Sequence, residues 1–272
     1  MALLIVGKSL RIVVSIASIW QRNFGRSSSR FGRRTGDRPH NAPTGENRMK
    51  LVDKPSPLLV KRWLQLLRWQ TLRSSASYWE NNYARGLTSG RGSYGTLGEA
   101  KAAFLNAFVR EHGVRSVVEF GCGDGHQLSM AEYPRYIGLD VSQTAIGRCQ
   151  RLFSDDPAKS FFRYDGACFV DRANLFAADL AVSLDVVYHL VEDSVFESYM
   201  THLFSSGKMF VIVYSTNTLI PGTAPSIRHR CFTSWVDAHC PQWRLLQRTE
   251  GPDTGPGRAD FFVYERLPDG PG

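Results

Sequence analysis

The chain lacks the cysteine patterns of a metal-binding or disulfide-rich protein. Its five cysteines form no CxxC pair and no Cys/His cluster at zinc spacing, so the sequence predicts no metal site. An odd number of cysteines without a framework is typical of reduced thiols and favours a cytoplasmic location. The chain also lacks an uninterrupted apolar run of about 20 residues, because Lys8 and Arg11 interrupt its hydrophobic start. The sequence therefore predicts no transmembrane span.

The body of the protein has little excess charge, although the chain of 272 residues carries a formal net charge of +8. Residues 1–48 hold nine Lys and Arg against two acids, and the remaining residues hold 24 basic against 23 acidic side chains. A nearly neutral body offers no basic stripe for a phosphate backbone, which disfavours a nucleic acid partner. Hydrophobic residues make up 43% of the chain, enough for a globular domain with its own core.

The basic segment at residues 1–48 is rich in Arg, Ser and Gly and is predicted to be disordered. Three interpretations stay open: a targeting segment, a basic arm in weak contact with a membrane surface, or a stretch outside the mature protein with Met49 as its true start. The last is favoured because sequence typical of ordered structure begins just after Met49. Residues 49–95 are expected to form a helix, over 58–72, and then a lid segment that is loop-like over residues 77–95.

From residue 96 onward, predicted strands alternate with predicted helices, which is typical of a parallel sheet covered on both faces. The last two strands, WRLLQRT and ADFFVYER, are joined by a Gly- and Pro-rich turn with no helix, so the final strand should run antiparallel. The predicted fold class is α/β. It is a Rossmann-like, doubly wound, mostly parallel sheet of seven strands with an antiparallel last strand, within a domain over residues 96–268.

The stretch VVEFGCGDGHQL runs from an apolar strand directly into Gly121, Gly123 and Gly125. A bare backbone at the mouth of a parallel sheet lets N–H groups approach a ligand. The dinucleotide fingerprint GxGxxG needs a third glycine where this chain has His126, which disfavours a nicotinamide cofactor. Glu119 would repel a pyrophosphate, but it suits a ligand that carries an ammonium group, such as S-adenosylmethionine.

Acidic residues follow the next predicted strands at the same edge of the sheet. Asp140 ends the second strand, where a carboxylate can accept both ribose hydroxyls of a nucleoside. Asp165 ends the third strand, near the expected adenine, and Asp185 ends the fourth. Any one of them could be an ordinary strand-end acid. Four acids at successive strand ends, beside a glycine loop, indicate a ligand site.

The motifs VVEFGCGDG, YIGLDVS and LAVSLDVVYHLVED resemble those of class I S-adenosylmethionine-dependent methyltransferases, in particular small bacterial members of uncharacterised substrate. The resemblance covers about residues 77–266. It implies S-adenosylmethionine as the cofactor and an antiparallel last strand. It also implies a cofactor site that comprises Glu119, Gly121, Cys122, Gly123, Asp140, Val141, Asp165, Gly166, Leu184 and Asp185.

Residues beyond the fourth and fifth strands are the candidates for acceptor chemistry. His189 is the predicted general base and Tyr188 the alternative, because a hydroxyl or amine acceptor can require proton removal. A structural role stays open for both. Tyr94, in the glycine-rich lid segment, is predicted to stack on a ring of the acceptor or cofactor. The predicted cationic rim, able to hold a phosphate or carboxylate of the acceptor, consists of Arg228, His229 and Arg230.

The chain lacks the Asn/Asp-Pro-Pro-Tyr element that adenine- and amide-modifying methyltransferases place after the fourth strand, since SLDVVY stands there. Methylation of a DNA base is therefore disfavoured. By exclusion, the expected acceptor is a small molecule or saccharide, with O-methylation favoured. The alternative is a non-catalytic module that keeps the cofactor fold as a scaffold or partner-binding surface. The oligomeric state is left open.

Overall fold

The computed structural model describes residues 74–252 and 258–268. The leader predicted at 1–48 and the helix predicted at 58–72 lie outside the described residues. Among the helices of the described ranges, none combines the length and hydrophobicity needed to cross a bilayer.

The described residues form five α-helices and seven strands. The helices are α1 Ser75–Ala84, α2 Gly95–Glu111, α3 Gln143–Leu152, α4 Asp193–Ser206 and α5 Phe232–His239. The strands are β1 Val117–Phe120, β2 Tyr136–Asp140, β3 Lys159–Arg163, β4 Ala178–Leu184, β5 Gly207–Ser215, β6 Trp243–Thr249 and β7 Asp260–Arg266. Short 3₁₀ turns lie at Arg91–Ser93, Leu128–Met130 and Val187–His189.

The seven strands form one sheet in the order β3-β2-β1-β4-β5-β7-β6. Strands β1 to β5 pair in parallel, and β7 pairs antiparallel with both β5 and β6. The predicted fold class, including the antiparallel last strand, is confirmed. Because the winding reverses between β1 and β4, the carboxyl ends of these neighbouring strands border a crevice, where such sheets bind ligands.

Helices cover both faces of the sheet, and each face has its own core. On one face, α4 and α5 bury Met200, Leu203 and Phe232 against the strands. On the other face, α2 and α3 bury Leu105 and Ile146. Strands that are covered on both sides need apolar residues at successive positions, which explains why β4 and β5 are nearly continuous hydrophobic runs.

Residues 77–95, predicted as a loop, are helical in their first half, so that prediction is wrong for α1. The helix begins after Ser74, whose hydroxyl accepts a hydrogen bond from the Ser77 N–H. Further along α1, Glu80 accepts hydrogen bonds from the hydroxyls of Ser142 and Thr144, at 2.7 and 2.5 Å. These partners lie at the start of α3, more than 60 residues away, so a tertiary contact stabilises α1.

The N-cap of α3 provides a test of this docking. The buried Ser142 hydroxyl accepts from the Ala145 N–H and donates to Glu80. We expect Ser142→Ala to lower the free energy of unfolding by about 1–2 kcal/mol, because both hydrogen bonds are lost. Urea denaturation measures the change. Thr201→Ala is the control, since this exposed hydroxyl bonds only a carbonyl of its own helix. Equal losses in the two variants would contradict the role of the cap.

Candidate functional site

A cavity of about 480 Å³ lies at the carboxyl ends of β1, β2 and β4, within the size range of small-molecule sites. Nine of the ten residues predicted for the cofactor line it: Glu119, Gly121, Cys122, Asp140, Val141, Asp165, Gly166, Leu184 and Asp185. The tenth, Gly123, lies behind the lining and donates its N–H to Asp140 at 2.9 Å. The structure therefore brings the predicted cofactor residues together around one cavity.

The loop after β1 needs glycine partly because neighbouring segments of the protein pack closely against its backbone. Gly121 and Gly123 have positive φ angles of 88° and 59°, a region that favours glycine. A Cβ at Gly121 would collide with Val186 in the loop after β4, and one at Gly123 would collide with Ser89 in the lid segment. The glycines thus allow the loop to turn and allow two neighbouring segments to pack on it.

Asp140 is buried at the end of β2 and holds the glycine loop in place. Its Oδ2 accepts from the Gly123 N–H at 2.9 Å, and its Oδ1 accepts from the Ser142 N–H at 2.8 Å. Burial raises the pKa of Asp140 to about 6, and the two N–H donors oppose that rise. Each oxygen keeps a further acceptor position, so the carboxylate can still bind two hydroxyl groups of a ligand.

Glu119 lies in the floor of the cavity with 4% of its surface exposed. The Tyr136 hydroxyl donates to its Oε2 at 2.6 Å. Burial raises the pKa of Glu119 to about 7, while the Tyr136 hydroxyl and the positive charge of Lys101 act in the opposite direction. A cation entering the cavity would favour the charged carboxylate, so Glu119 suits an ammonium group.

Asp185 follows β4 and has a positive φ angle of 60°, which is uncommon for a residue other than glycine. Its Oδ2 lies 2.5 Å from the Lys101 Nζ, and its Oδ1 accepts from the Tyr188 hydroxyl at 2.8 Å. Sequence reasoning missed Lys101. The available signal was its place on the apolar face of α2, four residues before Leu105, where a lysine is unexpected.

His189 lines the cavity, and its two ring nitrogens have different roles. Nδ1 lies 2.9 Å from the Ser226 carbonyl oxygen, which can only accept, so Nδ1 carries the proton. Burial lowers the pKa of His189, although the Ser226 carbonyl and the charge of Asp185 oppose this. The ring is therefore neutral at pH 7, and Nε2 is the nitrogen that can take a proton.

Tyr188, the alternative base, lies outside the cavity lining. Its hydroxyl donates to Asp185, and burial raises its pKa well above 10, so its proton is held in place. The geometry favours His189 over Tyr188 as a base. Across the described ranges, no three or more His, Cys, Asp and Glu side chains cluster as ligands for a metal ion.

The four residues predicted to bind the acceptor also lie outside the cavity lining. Arg228 and Arg230 form ion pairs with Asp193, at 3.0 and 2.6 Å, and both donate to the Val191 carbonyl. They tie the loop after β5 to the start of α4. His229 contacts the Thr216 hydroxyl, and Tyr94 donates to Asp124 and stacks on His126. Their acceptor roles stay predictions.

The lid segment is attached to the glycine loop through Asp124, which sequence reasoning missed. Asp124 Oδ2 accepts from the Ser89 N–H and from the Tyr94 hydroxyl, both at 2.9 Å, and the Asp124 N–H donates back to the Ser89 hydroxyl. Trp79 and Tyr83 of α1 line the cavity together with Ser89. One wall of the cavity is thus built from the segment before the first strand.

Comparison with known proteins places this geometry in context. No protein-family model matches the chain. The sequence is similar to a small RNA 2′-O-methyltransferase of Arabidopsis thaliana, with 26% identity over 144 aligned residues. That alignment covers 47% of this chain and 15% of the Arabidopsis protein. The chain therefore matches only a small part of that relative's length.

Two solved structures share the architecture. The N-methyltransferase NodS from Bradyrhizobium japonicum, in complex with S-adenosylhomocysteine, superposes with a TM-score of 0.57 at 15% identity, covering 72% of this chain and 100% of that one. The methyltransferase domain of a bacterial protein, CtHen1, superposes with a TM-score of 0.51 at 19% identity, covering 64% and 100%. This chain has the fold of S-adenosylmethionine-dependent methyltransferases. The family resemblance predicted from the motifs is thereby confirmed for the methyltransferase fold.

Glu119→Gln should change how stability depends on pH. In the unfolded chain this carboxyl loses its proton near its ordinary pKa of 4.5, but in the folded protein near 7. Between these values the folded state binds more protons, so the free energy of unfolding falls as the pH rises, by up to about 3 kcal/mol. Glu119→Gln should lack this part of the pH dependence. The free energy of unfolding of the variant should still fall with pH, but less, because Asp140 contributes in the same direction.

Urea denaturation at pH 5 and pH 8, without ligand, measures the effect. Glu132→Gln is the control, because Glu132 is exposed in an ion pair with Arg110 and should leave the wild-type fall intact. An equal fall with pH in Glu119→Gln and in the wild type would contradict the assignment.

Proposed function

We propose that the protein is an S-adenosylmethionine-dependent methyltransferase that methylates a hydroxyl group of a small-molecule or saccharide-type acceptor. The observation that carries this proposal is the cavity at the reversal of the sheet, which gathers carboxylates from four strand ends. A ligand with a sulfonium and an ammonium group is favoured by such a lining. The sharing of this fold with a methyltransferase solved with S-adenosylhomocysteine supports the cofactor assignment.

The residues of the cavity suit the parts of this cofactor. Asp140 would accept the two ribose hydroxyls through its remaining acceptor positions, and Glu119 would pair with the ammonium group. Asp165, two residues beyond the end of β3, and the adjacent Gly166 would border the adenine. When bound, the cofactor supplies a methyl group on a positively charged sulfur, and the carbon of that methyl group is a good electrophile. The protein has to align the acceptor and exclude water.

His189 would serve as the general base. When bound, S-adenosylmethionine would supply the methyl group and keep its sulfur as a neutral thioether, and Nε2 of His189 would take the proton of the acceptor hydroxyl as that oxygen is methylated. The Ser226 carbonyl holds the proton on Nδ1 and fixes the ring. The Trp79 ring meets the imidazole edge-on, with centroids 4.9 Å apart, and restricts its orientation. Such a base contributes about 10²- to 10⁴-fold in rate.

The acceptor has two candidate classes, each of which offers a hydroxyl group. A saccharide or small molecule is favoured by the nearly neutral charge of residues 49–272. The second candidate is the ribose 2′-hydroxyl of an RNA. It is supported by the similarity to the Arabidopsis small RNA 2′-O-methyltransferase and to the bacterial CtHen1 domain.

Asp140→Ala tests the cofactor site. We expect the dissociation constants of S-adenosylmethionine and S-adenosylhomocysteine to rise about 10- to 100-fold, because two hydrogen bonds to a charged acceptor are lost. Isothermal titration calorimetry measures both, and NAD should give no heat of binding. Asp156→Ala, in an exposed turn before β3, should leave both affinities unchanged. Wild-type protein that binds neither compound would overturn the proposed function.

His189→Ala tests the base. We expect the rate of methyl transfer to fall about 10²- to 10⁴-fold, while the affinity for S-adenosylmethionine stays within about threefold. The wild-type rate should rise with pH through a pKa below the usual 6.5 of histidine and then level off, because burial lowers that pKa. Tyr188→Phe should keep this pH profile. A His189→Ala variant that transfers the methyl group at the wild-type rate would exclude His189 as the general base.

Formation of S-adenosylhomocysteine reports the rate and can identify the acceptor. The assay compares a panel of saccharides, a set of short RNAs and DNA strands of the same sequences. Turnover with a saccharide supports the first candidate. Turnover with an RNA but not with the DNA strand of the same sequence, which lacks the 2′-hydroxyl, supports the second.

A further inference from the structure

Lys101 is a buried positive charge next to the cavity, with 1% of its surface exposed. Its Nζ lies 2.5 Å from Asp185 Oδ2 and 5.1 Å from the centre of the Tyr214 ring. Lysine is rarely buried unless it is paired, because removing an ammonium group from water is costly. Lys101 lies outside the cavity lining, whereas Asp185 is part of it. The lysine therefore acts on the cavity through its charge and through Asp185.

The contacts of Asp185 hold this ion pair in one arrangement. Its second oxygen accepts from the Tyr188 hydroxyl, and its backbone adopts a left-handed conformation. Gly92 of the lid segment lies against the carboxylate, where an added Cβ would come within 2.6 Å of Oδ2. Asp185 thus enters the cavity as one half of a neutral pair. The charge of Lys101 also lowers the pKa of Glu119, against the effect of burial. Lys101 therefore influences a second acid of the cavity lining.

We propose that Lys101 sets how strongly the site prefers the charged cofactor over its product. This inference rests on the proposed function. S-adenosylmethionine carries a positive sulfur, and S-adenosylhomocysteine carries a neutral one. Asp185 and the proposed base His189 both line the cavity, and the charge of Asp185 acts on His189, so the methyl group and its sulfur would lie near Asp185. An unpaired carboxylate at Asp185 would stabilise the positive sulfur before the reaction and lose that interaction as the methyl leaves. Lys101 offsets this, so bound cofactor is not held too tightly to react. It is a positioning residue that acts through Asp185.

Two opposite charge changes test the proposal. The measured quantity is the dissociation constant of S-adenosylhomocysteine divided by that of S-adenosylmethionine, from calorimetry at pH 8. Lys101→Met should raise this ratio about tenfold, because the net charge of the pair changes from zero to −1. Asp185→Asn should lower the ratio as long as Lys101 keeps its proton, because the net charge of the pair is then +1. The double variant should return to within about threefold of the wild type. A distortion of the pocket that weakens both ligands equally leaves the ratio unchanged, because the two ligands differ only in the methyl group and the charge of the sulfur.

Asp179→Asn is the matched control. This aspartate lies at the other end of β4, accepts from the N–H groups of Arg115 and Ser116, and should leave the ratio unchanged. Thermal unfolding verifies that each variant is folded. Asp185→Asn leaves the more deeply buried Lys101 without its counter-charge, which is costly and favours loss of the lysine's proton. Lys101→Met is the deciding variant, because Asp185 is partly exposed and keeps the hydrogen bond from the Tyr188 hydroxyl. Lys101→Gln, whose amide N–H can still donate to Asp185, serves if Lys101→Met does not fold.

The outcomes separate the two proposals. A folded Lys101→Met or Lys101→Gln variant with a ratio within twofold of the wild type would overturn the role of Lys101, while tight binding of both ligands would leave the proposed function intact. If the wild type binds neither ligand, the proposed function fails and this inference fails with it. Ratios that move in opposite directions in the two single variants would establish it.

Discussion

The buried carboxylate of Asp140 is the contact on which the site depends. Its two oxygens join the glycine loop after β1 to the first turn of α3, through the N–H groups of Gly123 and Ser142. Unpaired, a buried carboxylate would be costly, so the two donors and the acid require one another. This arrangement forces the loop into the conformation in which only glycine fits beside Ser89. The proposed cofactor contacts and the local fold thus depend on the same few atoms.

The acids around the cavity all lie near strand ends, but they differ in whether a positive charge is paired with them. Burial raises the pKa of Glu119 and of Asp140, so each gains from a nearby cation or hydroxyl donor. Asp185 instead carries its own counter-charge, Lys101. A cavity lined only by unpaired acids would bind any cation tightly. Pairing one of them leaves a site that can hold a positive sulfur and also release a neutral product.

The segment before the first strand contacts both sides of the cavity. On one side, Glu80 and Asp124 connect it to the start of α3 and to the glycine loop. On the other side, the Ser75 N–H donates to Glu192 at 2.8 Å, and Trp79 packs on His189. Helix α1 therefore lies beside both the proposed cofactor residues and the proposed base, and its Trp79 and Tyr83 form part of the cavity wall.

The sequence by itself determined the alternation of strands and helices, the antiparallel last strand, the glycine loop and the strand-end acids. These features follow from local rules: hydrophobic periodicity, turn residues and the geometry of parallel sheets. The tertiary structure alone decided the partners of each charge. Arg228 and Arg230 were expected to face an acceptor but pair with Asp193, and Lys101 was unexpected. A hydrophobic pattern specifies which face of an element is buried, whereas the direction of a long charged side chain depends on residues brought close only by folding.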